Sequence, residues 1–211
     1  MKLLLLTLCF TVAAFAQWPN NKEPWFCHDI NCPVFKTVKT TSDYEIRTYA
    51  NKQTWVGLTI QGNDLETAET EGFMALFKYI SGANVEKTKV EMTSPVRNHV
   101  VAGAGPLHQS NFTISFYLPF IWQDKKPPTP TDPRVSIMTV EPGTYGITSF
   151  YGYATQKEIG QEANKLGVAL KNDNIEFDST SYIFAGYDPP FRVFDRHNEV
   201  WFTITSPVVN A

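Results

Sequence analysis

The chain has no apolar run long enough to cross a bilayer, no cluster of bases, four histidines and three cysteines, and each shortage removes a class of function. Its longest apolar stretch, Leu3 to Phe15, is shorter than the roughly 20 residues a membrane-spanning helix needs, so no anchor is expected. Lysines and arginines are scattered among acids, with Lys125-Lys126 the single adjacent pair, and formal net charge is −3. A nucleic-acid binder needs a basic face to neutralise phosphates, so that partner is not expected. Neither G-x-S-x-G nor H-E-x-x-H occurs, and C-x-x-C-H for covalent haem attachment is missing too.

What remains is a globular composition, 43% hydrophobic and 18% charged over 211 residues, enough to bury a full core. The opening MKLLLLTLCFTVAAFAQ combines one lysine, an apolar stretch and small residues at Ala14 and Ala16. It fits a secretory signal over residues 1–16, cleaved before Gln17, and predicts a secreted, extracellular chain. Cys9 would leave with that signal, and Cys27 and Cys32 then form an even pair, the expected disulfide of an N-terminal segment over residues 17–33. Closing so short a loop is worth about 2 kcal/mol, enough to pin the segment without holding the domain together. Asn111-Phe112-Thr113 is a glycosylation sequon.

Strand patterns cover Tyr44 to Tyr49 and Thr54 to Ile60, followed by a helix capped at Asn63 or Asp64 and stopped at Ser81-Gly82. Part of Lys89 to Val101 and all of Asn111 to Leu118 read as two more strands. Leu118 to Pro133 holds five prolines in sixteen residues and reads as a joint between halves. Beyond it come strands Arg134 to Val140 and Gly143 to Tyr151, a helix from Thr155 to Lys171 opened by a Thr155/Glu158 capping box, and strands Ser181 to Tyr187 and Glu199 to Thr205. Each half is strand, strand, helix, strand, strand, and Met92-Thr93-Ser94-Pro95-Val96 returns as Ile204-Thr205-Ser206-Pro207-Val208. The pattern argues a duplicated unit in one α+β domain over residues 34–211.

The helices differ. In the second, Ile159, Ala163, Leu166 and Leu170 make one narrow core face. The first carries Leu65, Ala68, Gly72, Leu76 and Tyr79 on one stripe and Phe73, Phe77 and Ile80 on another, widened by Met74. A helix apolar on two sides is either sunk between sheet and loops or faces a ligand, and Lys78 beside Phe77 is placed to meet an acidic group at a rim.

The chain resembles the SOUL haem-binding protein family, the heme-binding protein 1 and 2 group. The residues that carry this are Tyr44-Glu45-Ile46-Arg47 leading to Trp55-Val56, Phe77 to Asn84, Met92 to Val96, Phe116 to Pro119, Pro127 to Pro130, Phe150-Tyr151-Gly152, and Ala185 to Pro190 through Asn198 to Trp201. They keep their order from about Val34 to Val208. The resemblance implies two four-stranded antiparallel sheets forming a distorted barrel with two helices. It further implies non-covalent binding of haem or another tetrapyrrole against the first helix, near the loop before the last strand. The matching positions are Phe73, Phe77, Lys78 and Arg192, with Tyr187, Pro190 and Phe191 shaping an apolar wall and the two bases pairing with propionates. Thr48 stands where some members carry a histidine, and Thr70 where some carry an arginine, so His99 and His197 are the candidate iron ligands left. A competing reading, a small-molecule hydrolase on a related barrel, would use Glu91 or Glu199; in Asn-Glu-Val-Trp, Glu199 reads instead as a carboxylate anchoring a loop. A protein-interaction module is the other alternative.

Overall fold

The computed structural model describes residues 18, 23–103 and 109–206. The expected signal and His108 lie outside them. Nine strands and two long helices follow one another along the chain: β1 (Lys36–Thr40), β2 (Glu45–Tyr49), β3 (Gln53–Gly62), α1 (Leu65–Ile80), β4 (Val96–Val101), β5 (Ser110–Tyr117), β6 (Ser136–Val140), β7 (Gly143–Tyr151), α2 (Gln156–Asn172), β8 (Ser181–Gly186) and β9 (His197–Thr203). Single 3-10 turns occupy Trp25–Cys27 and Phe120–Trp122. Both helix starts follow the sequence signals. Asp64 accepts from the Thr67 amide at 2.7 Å, and Thr155 and Glu158 form the reciprocal capping box.

All strands join one antiparallel sheet in the order β1-β2-β7-β9-β8-β4-β5-β3-β6, curled into a half-barrel. The expected distorted barrel of two four-stranded halves is present, the pairing of β4 with β8 making the halves continuous. Replacing each strand of one half by its counterpart (β2 with β6, β3 with β7, β4 with β8, β5 with β9) reverses the order and leaves it unchanged. That is the signature of a duplicated unit related by a two-fold between β4 and β8. Each unit gives its first strand to the other, since β2 pairs with β7 and β6 with β3. The recurring MTSPV/ITSPV pentapeptides are not part of this symmetry. One precedes β4 and the other follows β9, which are not equivalent places.

Successive side chains on a strand point to opposite faces, and the two faces of the sheet carry two cores. On the helix side, Val56, Leu58, Ile114, Phe116, Val200 and Phe202 pack against α1 and α2, with the α2 face Ile159, Ala163, Leu166 and Leu170 fully covered. Burying each such side chain is worth about 1.5–3 kcal/mol. Gly72 lets α1 approach β5 closely: a Cβ there would meet Ile114 side-chain atoms at 2.8 Å. On the opposite face, Tyr49, Tyr145, Ile147, Ile183, Ala185 and Trp201 are covered by Phe26 and the Cys27–Cys32 disulfide, whose Cα atoms are 5.9 Å apart.

Candidate functional site

Helix α1 buries its first stripe as the sequence suggested, and Ile80 of the second stripe is buried as well. Met74 and Phe77 are not: they stay 49% and 46% exposed. Phe73 is intermediate. It packs edge-on against Phe116 and lies parallel to Phe77 at 6.0 Å between centroids. Glu69, Phe73 and Phe77 sit at i, i+4 and i+8, one row along the helix that spans about 12 Å.

That row begins over β4. Glu69 accepts from Asn98 Nδ2 at 3.0 Å; burial raises its pKa, and the Asn98 bond, with a smaller effect from the Arg196 charge of the β8–β9 loop, opposes that rise. Arg196 shapes the loop from inside. Its Nη1 donates to the carbonyls of Pro189 (2.7 Å) and Arg192 (3.0 Å), its Nη2 donates to that of Asp188 (3.3 Å), and its guanidinium stacks on Tyr153. Asp188, also internal, accepts from the His197 amide at 2.6 Å and lies 2.9 Å from His28 Nε2. With its polar groups turned inward, the loop presents Phe191 and Phe194 outward, 83% and 80% exposed. An apolar surface of this kind calls for something to cover it.

The structure distributes the expected site residues unevenly. Phe73 and Phe77 share one helix row. Arg192 lies in the β8–β9 loop, its Nε donating to the Phe194 carbonyl and lying 3.1 Å from Asp188 Oδ1. Lys78 is turned to a different hollow, lined by Ala75, Tyr79, Pro130 and Asp132, where it helps Arg134 hold the Asp132 carboxyl down to about 2. Lys78 and Arg192 are therefore not brought together. Asn111 is the second residue of β5, paired with Val101 and Gln61, and is partly exposed.

Glu199 is the residue whose surroundings the sequence did not disclose. It is fully buried on the face away from the helices. Oε1 accepts from Arg47 Nη1 and contacts His197 Nε2, both at 2.8 Å, while Oε2 accepts from Tyr187 Oη and Trp201 Nε1, also at 2.8 Å. Burial pushes this carboxyl up, but the Arg47 charge and these bonds prevail and hold it down to about 2. All its acceptor capacity is engaged, so it anchors β9 and the loop before it; no lone pair is left for proton abstraction. Arg47 also binds Glu45 at 2.7 Å and lies under the rings of Phe26 and Phe35. The periodic signal for this cluster was present, since Glu199 and Trp201 share a strand face, but Arg47 is 152 residues away in sequence.

No described histidine is offered to the α1 face. His197 is buried and stacked under Phe26 at 4.2 Å, His28 is engaged with Asp188, and His99 points from β4 opposite to Asn98, away from the helices. Glu91 is exposed, outside any strand. Glu23, Cys27 and Cys32 form the one cluster with metal-ligand spacing among the described residues, and its two sulfurs are bonded to each other.

Residues 30–203 match the family model described as SOUL heme-binding protein. Human heme-binding protein 2 is 35% identical over 158 residues, covering 75% of this chain and 76% of that protein. Heme-binding protein 1 of Xenopus laevis is 33% identical over 169 residues, 80% of this chain and 87% of the relative. Among solved structures, an uncharacterized conserved protein from Listeria innocua superposes with a TM-score of 0.53 at 12% identity, over 77% of this chain and 92% of that one. The EcmrR C-terminal domain does so with a TM-score of 0.52 at 9% identity, over 78% and 99%. These last two likenesses concern the fold.

Proposed function

Since the chain belongs to the SOUL heme-binding protein family, we propose that it binds haem or a related tetrapyrrole non-covalently, in a binding rather than a catalytic role. The observation that supports this reading is the apolar surface α1 leaves uncovered, Met74 and Phe77 with the partly exposed Phe73, together with the outward phenylalanines of the β8–β9 loop. A macrocycle laid on Phe77 would cover apolar area on both sides. Arg192 keeps its terminal nitrogens for a propionate, while Lys78, turned toward Asp132, is not placed to share that role. The residues present fit the porphyrin body and an acidic arm. None of the described histidines is offered to the iron, so selectivity for the metal would be low and protoporphyrin IX would bind about as well as haemin.

Two titrations test this: the Soret band of haemin and the emission of protoporphyrin IX, against wild-type protein and Phe77→Asp. Saturable binding at micromolar protein that Phe77→Asp weakens about tenfold, in a variant with unchanged far-UV CD, is the expected result. No spectral change with either ligand would leave a protein-interaction role in front.

The leader-like residues 1–16 and the Cys27–Cys32 pair together support a secreted protein. Edman sequencing of protein recovered from culture medium, beginning at Gln17, would establish it.

A further inference from the structure

The tip of the β8–β9 loop holds the most exposed large apolar side chains among the described residues, Phe191 and Phe194, with Val193 between them exposed as well. Three features of this tip go beyond surplus apolar surface. The first is its backbone. The carbonyls of Pro189 and Arg192 accept from Arg196 Nη1, that of Asp188 from Arg196 Nη2, that of Pro190 from Tyr153 Oη and that of Phe194 from Arg192 Nε. Pro189 and Pro190 have no N–H to leave unmatched. In water, solvent would serve these carbonyls; in an apolar medium each unmatched one is penalised. A loop that turns two arginines on its own carbonyls is built for a tip that leaves water.

The second feature is what surrounds the foot of the loop. Tyr151 pairs with His197, where the loop joins β9, the Trp25 ring lies 5.4 Å from the His197 ring, and Tyr153 holds Pro190. All three rings are exposed. Amphipathic aromatics at the foot and purely apolar side chains at the tip are the order found across a membrane interface. There Trp and Tyr lie level with the headgroups, and Phe reaches the boundary of the acyl chains.

The third feature is charge. Asp188 and Arg196 are turned inward, which leaves Arg192 and Asp195, one of each sign, at the surface of the tip. A tip without net charge, on a chain of formal net charge −3, matches zwitterionic headgroups better than an anionic surface. Among the described residues no helix is long and apolar enough to cross a membrane. The loop needs none, because it would go no deeper than the boundary between headgroups and acyl chains.

We propose that the β8–β9 loop is a membrane-docking element. It inserts Phe191, Val193 and Phe194 into the surface of a zwitterionic bilayer and sets Trp25, Tyr151 and Tyr153 at headgroup level. Docking needs no tetrapyrrole on α1.

The test uses the disulfide-bonded protein recovered from culture medium and sucrose-loaded phosphatidylcholine vesicles, with no tetrapyrrole present. Wild type should sediment with the vesicles saturably, and Phe191→Asp with Phe194→Asp, at unchanged far-UV CD, should bind at least about tenfold more weakly. Phe191→Ser with Phe194→Ser, which adds no charge, should lose binding in the same direction. Phe77→Asp should sediment as the wild type does, so docking and the tetrapyrrole reading stand or fall separately. Raising salt to about 1 M should change binding by less than about twofold. Vesicles with brominated acyl chains should quench tryptophan emission, and Trp25→Phe should remove most of that quenching. An absence of sedimentation, tip variants that bind as wild type, loss of binding in high salt, a loss in Phe77→Asp equal to that of the tip variants, or quenching unchanged in Trp25→Phe would each overturn the proposal. So would a wild-type dimer that the tip variants dissolve while vesicles go unbound, since the tip would then serve a second copy of the chain.

Discussion

Replacing Glu199 by glutamine tests whether the buried carboxylate network governs stability. The carboxyl is held at about 2 against an ordinary 4.5, because Arg47 and the His197, Tyr187 and Trp201 donors outweigh the effect of burial. A depressed carboxylate stabilises the fold above the pKa it has when unfolded, and that contribution disappears as pH falls through its folded value. A shift of this size corresponds to about 3 kcal/mol, fully present at pH 6 and lost between about pH 4.5 and 2. Glutamine keeps the shape but turns an amide N–H2 toward a pair of donors and leaves Arg47 with Glu45 alone, so the cost at neutral pH is about 3–5 kcal/mol. Urea unfolding of both proteins at pH 6 and pH 3 measures it. The gap should narrow by about 1–2 kcal/mol at the lower pH, since only the wild type has this carboxylate to protonate. Other acids cancel in the difference. A gap below about 1 kcal/mol at pH 6, or one that does not narrow, would refute the account of Glu199 as a charge-matched anchor.

Cys27→Ser with Cys32→Ser should lower stability by about 2 kcal/mol in urea and leave porphyrin affinity unchanged, because the segment it frees covers the sheet face opposite α1; reduced porphyrin affinity would contradict that separation. Arg192→Glu should weaken porphyrin binding more than Lys78→Glu in the emission titration, since Lys78 already faces Asp132; the reverse order would move the propionate site to the Lys78 side. Gly72→Ala should cost about 1–3 kcal/mol in thermal melts, because its methyl group would enter Ile114; an unchanged melting temperature would show that α1 can slide over β5.

Local chemistry made part of this structure legible. Asp64 and the Thr155/Glu158 box mark helix starts through hydrogen bonds made within four residues, and the α2 core face follows from a 3.6-residue period. The order of elements in each half could be read for the same reason. What escaped was everything set by non-local pairing. The exchange of β2 and β6 between halves is a matter of register over 79 or more positions, and no local pattern discloses it. β1, Lys-Thr-Val-Lys-Thr, is largely exposed and has little apolar signal to betray it. The MTSPV recurrence was read as part of a duplication that is real, but the pentapeptides themselves fall at unrelated places. In the site, Phe73 and Phe77 were visible as a surplus of apolar surface on one helix. The inward arginine of the loop, Arg196, was not, since its role consists of bonds to backbone carbonyls that any sequence possesses.

The curled sheet separates two chemistries because consecutive residues of a strand look in opposite directions. On β4, Asn98 reaches Glu69 of α1 and so belongs to the helix face, while Arg97 and His99 turn to the other side. On β9, Val200 and Phe202 support the helices while Glu199 and Trp201 build the polar cluster. The helix face can therefore lose or gain a ligand on Phe77 without disturbing Glu199, and the disulfide-bound segment can leave the inner face without disturbing α1. Asp188 and Arg196 are where the two meet. The β8–β9 loop takes its outward phenylalanines from the helix side and its anchor from His28 of the N-terminal segment. Coupling between a tetrapyrrole on α1 and the inner face would have to run through those ten residues, so His28→Ala should change porphyrin affinity only as far as it lets the Phe191–Phe194 tip move.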